Sequence, residues 1–207
     1  MNPFQVVRDF EAALCDYTGA PFAVTTTSCT AALMLAVAWH LENGEIQGPI
    51  EIPRRTYIGV PYAIREAGGR PAFRDEQWRG EYRLLPLPVI DSARWFTSGM
   101  YHIGTMRCVS FHWAKTVGIQ QGGAILHDWP EADAWLRRAR FDGRAEGVPP
   151  AQDTFPLVRA WHCYMAPETA AAGLVRLANL PRHNEPLPWG PGTDSDYGDL
   201  SELAIFK

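Results

Sequence analysis

Lys115 is the one lysine inside a 207-residue chain that carries seventeen arginines; the only other lysine is the last residue, Lys207. A GC-rich genome accounts for a general arginine bias but not for the exception. Arginine replaces lysine as a surface cation, not where an amine must lose its proton. Lys115 therefore stands out as a lysine kept for chemistry. Ser110 lies five residues before it, at the end of the apolar run Cys108-Val109-Ser110. Asp91 closes another such run, Val89-Ile90-Asp91. A carboxylate at the end of a buried strand needs a cationic partner, either an arginine or the protonated ring nitrogen of a bound group. Thr27-Ser28-Cys29-Thr30 leads into the apolar stretch Ala31–Glu42. The unpaired amides at the start of a helix there would form a phosphate cradle; the same residue types also serve as ordinary N-caps. Gly122-Gly123 allows either close backbone approach to a ligand or a plain hairpin turn.

Positioning these groups requires alternating strands and helices. Val6, Val7, Phe10, Ala13 and Leu14 share one face of a helix opened by Asn2-Pro3 and stopped by Gly19. Strands are predicted over 21–24, 50–53, 71–75, 87–91, 106–111 and 123–126. Helices are predicted over 31–42, 58–67, 130–140 and 166–180. This order implies an α/β fold with three αβα layers and a mainly parallel sheet. Functional groups then belong at the carboxyl ends of the strands, where Ser28–Thr30, Tyr57, Asp91 and Ser110 fall. The Pro- and Gly-rich stretch 181–192, with Asn184 and Trp189, and the acidic run from Asp194 to Asp199 are expected to be irregular.

Composition excludes several classes. Hydrophobic residues make up 46% and charged residues 20%, enough for a real core. The net charge of −4 argues against a nucleic-acid-binding surface and leaves nucleic acid a place only as a modified substrate. No apolar run is long enough to span a bilayer, and the first residues lack the basic and apolar regions of a signal peptide. Cys15, Cys29, Cys108 and Cys163 form no CxxC pair, so no metal site is expected and a reduced, cytoplasmic setting is.

Taken together, the motifs resemble those of pyridoxal-phosphate (PLP) enzymes of fold type I, and more closely the DegT/DnrJ/StrS family of sugar aminotransferases. Phe10-Glu11 with Tyr17-Thr18-Gly19-Ala20 resembles the family's opening motif, and Ser28-Cys29-Thr30-Ala31-Ala32-Leu33 its phosphate loop. Pro53–Tyr57, Gly69–Asp75, Val89–Ala93, Ser110–Lys115, Gly122–Ile125 and Trp161–Gly173 resemble later family segments in order and spacing. The resemblance implies that Lys115 forms the Schiff base with PLP and moves the substrate's proton, and that Asp91 pairs with the pyridine nitrogen. It further implies that Thr30, Ser110 and the amides near Cys29 hold the phosphate and that Tyr57 stacks on the ring. A homodimer with a shared active site follows as well, with His162 reaching the partner's site.

The chain also departs from the pattern. Cys29 replaces the loop glycine, either as an activated thiol or as a small packing residue. Arg94 stands where the family has Gln or His, and would favour the phenolate form of the cofactor's ring oxygen. His162 replaces an asparagine and reads equally as a surface or core histidine. Between Asp75 and Asp91 several dozen residues are missing relative to the family, and after Arg182 so is most of a small domain. The expected organisation is an abbreviated PLP-binding large domain over 1–160, with a helix and an irregular interface tail over 161–207. The expected activity is amino transfer from a small amino-acid donor, glutamate by family analogy, to a ketosugar or other carbonyl acceptor. The alternatives are decarboxylation or other amino-acid chemistry on a large or macromolecule-linked substrate, and a non-catalytic binding protein.

Overall fold

The computed structural model describes residues 4–44, 46–188 and 196–206. Trp189, Asp194 and Lys207 lie outside them. Helix α1 (Gln5–Thr18) buries Val7, Phe10 and Leu14, and ends where Gly19 turns left-handed and donates its N–H to the Cys15 carbonyl. Strand β1 (Phe22–Thr26) leads into α2 (Cys29–Glu42), which is apolar on nearly every side. Such a helix must be covered all round, and it lies between the sheet and helices α3 (Gly59–Glu66) and α4 (Pro130–Ala139). Strands β2 (Ile50–Pro53), β3 (Pro71–Arg74), β5 (Val89–Asp91), β6 (Met106–Ser110) and β7 (Gly123–His127) fall where the sequence predicts them. Helix α5 (Pro167–Ala178) packs on α1. Residues 161–180 thus share their core with the rest of the chain.

Two apolar cores lie on opposite faces of the sheet. Met106, Cys108 and Ile125 face α2, α3 and α4; Val109, Ala124 and Leu126 face α1 and α5. The period-two alternation of the strands makes this division. The three layers are therefore αβα.

The sheet is mixed. Five strands run in the order β1-β7-β6-β5-β4, where β4 is Tyr82–Leu84, and β2-β3 form a parallel pair beside them. A backbone pair between Glu51 and Leu85, with N–O distances of 2.8 and 3.0 Å, joins the two parts. Strands β1, β2, β3, β5 and β6 share one direction, but β7 and β4 run against them, so of the neighbouring pairs only β5–β6 and β2–β3 are parallel. The expectation of a mainly parallel sheet holds for strand direction and not for pairing. The reason lies in connection length. A parallel neighbour needs a crossover of about a dozen residues or more, whereas β4 (Tyr82–Leu84) reaches β5 through four residues.

Strand β4 is absent from the sequence prediction. It lies in the stretch that the resemblance implies is shortened, and it extends the sheet there with a hairpin to β5.

Candidate active site

The directional strands end at one edge of the sheet, and the chemically distinctive residues meet there. A cavity of about 470 Å³ is lined by Cys29, Thr30, Tyr57, Asp91, Arg94, Ser110 and Lys115 among others. Of the predicted site residues only His162 lies outside this lining. Its exposed ring bonds Asp142 Oδ2 at 2.8 Å and packs on Tyr164.

The floor is the start of α2. Ser28 is extended and its hydroxyl accepts the Ala31 N–H at 3.1 Å, while Thr26 Oγ1 donates to the Ser28 carbonyl. Ser28 is thus the N-cap. The amides of Cys29 and Thr30 are the first two of the helix and have no acceptor within it. Strand β7 presses against this turn: a Cβ on Gly123 would stand 2.5 Å from both Cys29 N and the Ser28 carbonyl carbon. These are backbone atoms and cannot swing aside. Gly123→Ala is therefore expected to push β7 and α2 apart, at a cost of about 1–3 kcal/mol. Thermal unfolding and phosphate-ester affinity should fall together.

Tyr57 flanks the same turn. Its ring lies over Gly59, where a Cβ would meet Tyr57 Cε1 at 2.6 Å and Thr30 Oγ1 at 3.1 Å. At 54% exposure it leaves an aromatic surface open beside the helix start.

Asp91 closes the opposite wall at 5% exposure. Its Oδ1 accepts the Ala93 N–H at 2.9 Å and its Oδ2 the Tyr82 hydroxyl proton at 2.8 Å. Burial pushes its pKa above the ordinary carboxylate range, against these two hydrogen bonds and the Lys115 charge, while Glu81 adds to the rise. Such a carboxyl gains most from a cationic donor brought into the cavity.

Lys115 is presented by the loop between β6 and β7. That loop is closed by Phe111 N–H to Gly122 O at 2.9 Å and Ile119 N–H to Phe111 O at 3.0 Å. Buried Phe111, Val117 and Ile119 anchor it, and Lys115 N–H to His112 O makes its turn. Ser110 ends β6 at the same rim.

Two sequence questions are answered here. Cys29 is buried, and desolvation, with the nearby Asp91 and Cys108, drives its thiol well above the ordinary value, against the Lys115 charge. It is a neutral packing residue, not an activated thiol. Arg94 lines the cavity, is 5% exposed and gives one guanidinium N–H to the Pro188 carbonyl, while its own carbonyl accepts Leu187 N–H. It belongs to the wall and also holds the C-terminal segment.

Sequence reasoning missed Tyr82, Trp113, Gln121 and Tyr197. Tyr82 lies on the unpredicted strand. The other three carry no spacing signal, and Tyr197 arrives from the far end of the chain to line the cavity, its ring stacked near Trp78.

The donor set suits PLP: first-turn amides and two hydroxyls for a phosphate, a buried carboxyl for a protonated ring nitrogen, an open aromatic face, and an amine on a separate wall. No group of His, Cys, Asp and Glu among the described residues is arranged to hold a metal, and no described helix is long and apolar enough to cross a membrane.

Residues 2–79 match the model of the DegT/DnrJ/EryC1/StrS aminotransferase family. No curated protein matches the chain. Among solved structures, the fold is similar to a DegT DnrJ EryC1 StrS aminotransferase from Brucella abortus (19% identity, TM-score 0.67) and to the sugar aminotransferase CalS13 from Micromonospora echinospora (16%, 0.68); each match covers 84% of this chain. It is equally similar to GDP-4-keto-6-deoxymannose-3-dehydratase (ColD; 15%, 0.66), over 86% of this chain. The chain spans 58%, 60% and 61% of the length of these three proteins, in that order. Residues 2–79 thus match the model of the DegT/DnrJ/EryC1/StrS aminotransferase family, and over more than four fifths of its length the chain has the fold of these solved structures.

Proposed function

We propose that this protein binds PLP and transfers an amino group from an amino-acid donor to a ketosugar or another carbonyl acceptor. One observation carries the reading: Lys115, Asp91 and the amide-rich start of α2 come from three separate segments and line one cavity. When bound, PLP supplies an electrophilic carbon for the amino group and an electron-withdrawing ring. The protein's contribution is placement and proton control. Thr30, Ser110 and the Cys29 and Thr30 amides would bind the phosphate. Asp91 would pair with the protonated ring nitrogen, and Tyr57 would offer its aromatic face to the ring. Lys115 would hold the group through its amine and, at Nζ, would accept a proton from the donor's α-carbon.

The fold also serves a dehydratase, so products decide between amino transfer and other chemistry at the same lysine. The test is incubation with PLP and L-glutamate. Release of 2-oxoglutarate, with the amino group recovered on an added keto acceptor, supports amino transfer. Carbon dioxide instead would move the assignment to decarboxylation, and no PLP uptake by folded protein would overturn both.

We further infer a homodimer in which His162, exposed and held by Asp142, reaches the partner's site. A monomer in sedimentation that retains full PLP affinity would refute this.

A further inference from the structure

The strand that closes the sheet also reaches into the site. Tyr82 pairs with Asp91 across the β4–β5 register, so their side chains stand on the same face. The Tyr82 hydroxyl lies 2.8 Å from Asp91 Oδ2 and 2.7 Å from Thr56 Oγ1. A tyrosine has one proton to give. With Asp91 ionised, that proton points to the carboxylate, and Thr56 donates to the Tyr82 oxygen. The result is a directed chain, Thr56 to Tyr82 to Asp91, buried throughout: Thr56 is 2% and Tyr82 4% exposed. Trp78 packs edge-on against the Tyr82 ring at 4.9 Å, and its indole N–H is tied to the Arg55 carbonyl.

We propose that Tyr82, with Thr56 behind it, is the positioning residue that keeps Asp91 ionised and aimed into the cavity. The proposal rests on the PLP reading for its purpose but not for its chemistry. A buried carboxylate accepting charge-assisted hydrogen bonds is held in its ionised form; Oδ1 has the Ala93 amide and Oδ2 has Tyr82. Each oxygen keeps a second lone pair for a ligand. The other groups that bear on Asp91 do not replace Tyr82. Lys115 favours the ionised form but is the residue that must move in catalysis, Glu81 opposes ionisation, and the Cys29 and Cys108 thiols are neutral. Glu81 is itself drawn to Arg107 and Ser92, on the side away from Tyr82's hydroxyl chain. Strand β4 thus supplies a hydrogen bond to Asp91 as well as a link in the sheet.

The test uses the full chain with carboxyl-13C aspartate, the Asp91 signal being identified by its loss in Asp91→Asn. In Tyr82→Phe, which keeps the ring and its packing, the Asp91 signal should titrate at higher pH than in the wild type. Because the carboxylate is then lost earlier on acidification, PLP affinity should fall on the order of tenfold at mildly acidic pH, and the gap should narrow as pH rises. Thr56→Val should move both readings the same way by less, and it carries the test if Tyr82→Phe does not fold. An unchanged Asp91 titration, or an affinity loss equal at every pH, would overturn the proposal. Wild-type protein that takes up no PLP while the titration moves as expected would overturn the cofactor reading and leave the tuning of Asp91 standing.

Discussion

Lys115→Ala is expected to remove covalent attachment of PLP altogether and to lower amino transfer by on the order of 10⁴-fold or more. Lys115 is the sole amine side chain in the interior of the sequence, and it lines the cavity that holds Asp91 and the α2 amides. The measurement is borohydride reduction of the PLP-treated protein followed by peptide mapping. Wild type should carry the label on the Lys115 peptide, and the variant should carry none there. Lys115→Arg makes the same point more sharply. It keeps a cation near Asp91 but supplies no deprotonatable amine, so non-covalent PLP binding should survive while transfer is lost. A variant that still forms the visible band with PLP would refute the assignment.

The second large effect concerns stability. Glu11 is 3% exposed and accepts four hydrogen bonds: from Thr25 N–H and Oγ1 at 2.9 Å each, from Arg140 at 2.5 Å and from Arg137 at 2.6 Å. Arg140, 1% exposed, is held on its other side by Glu146. Removing one member of a buried ion pair leaves the other charge uncompensated, at about 3–5 kcal/mol. Arg140 keeps Glu146 and Arg137 keeps Asp133, so Glu11→Gln should fall near the lower end, a loss of roughly 6–12 °C in Tm. The pH dependence has a definite sign. Burial pushes the Glu11 pKa up, but Arg140, Arg137 and the Thr25 amide together outweigh it and hold the pKa below its ordinary value of 4.5. Its contribution is thus complete above about pH 4.5 and is lost as pH falls through the lower folded value. Wild type should lose stability steeply in that acid range, and Glu11→Gln should lose less. Equal slopes would show that another carboxylate carries the acid response.

Much of this molecule is legible from residue order. Two strands that run towards the site and end in a polar residue after an apolar run bring that residue to its edge, Asp91 and Ser110, and Thr30 follows from the hydroxyl cluster before an apolar helix. The lysine exception leads to the cavity directly. What escapes has physical reasons. Strand β4 is three residues long, with burial alternating over Tyr82, Arg83 and Leu84, too short for a period to show. Its pairing depends on partners distant in sequence, such as Glu51. Tyr82 was therefore invisible as the donor to Asp91. The antiparallel course of β7 was equally hidden, because the loop that carries Lys115 returns the chain without a helix. Tyr197 is brought in by contacts that no local pattern encodes, among them the ion pair of Arg54 with Asp199 and the Leu200 N–H to the Arg54 carbonyl. The sequence reads Arg94 as a cofactor-side cation, and it also anchors the chain at Leu187 and Pro188.

The Glu51–Leu85 pair divides the sheet mechanically. Tyr57 rides on the β2–α3 side of this seam, while Asp91, Ser110 and Lys115 ride on the five-stranded side. The backbone ladder crosses the seam through two hydrogen bonds, reinforced by the Arg74 guanidinium, which reaches the carbonyls of both Glu51 and Arg83. A ligand held between Tyr57 and Asp91 would act as a rivet across that joint. The amides of Glu51 and Leu85 therefore report occupancy of the cavity from outside it: their exchange with solvent should slow when the cavity fills, in proportion to how firmly the ligand grips both walls.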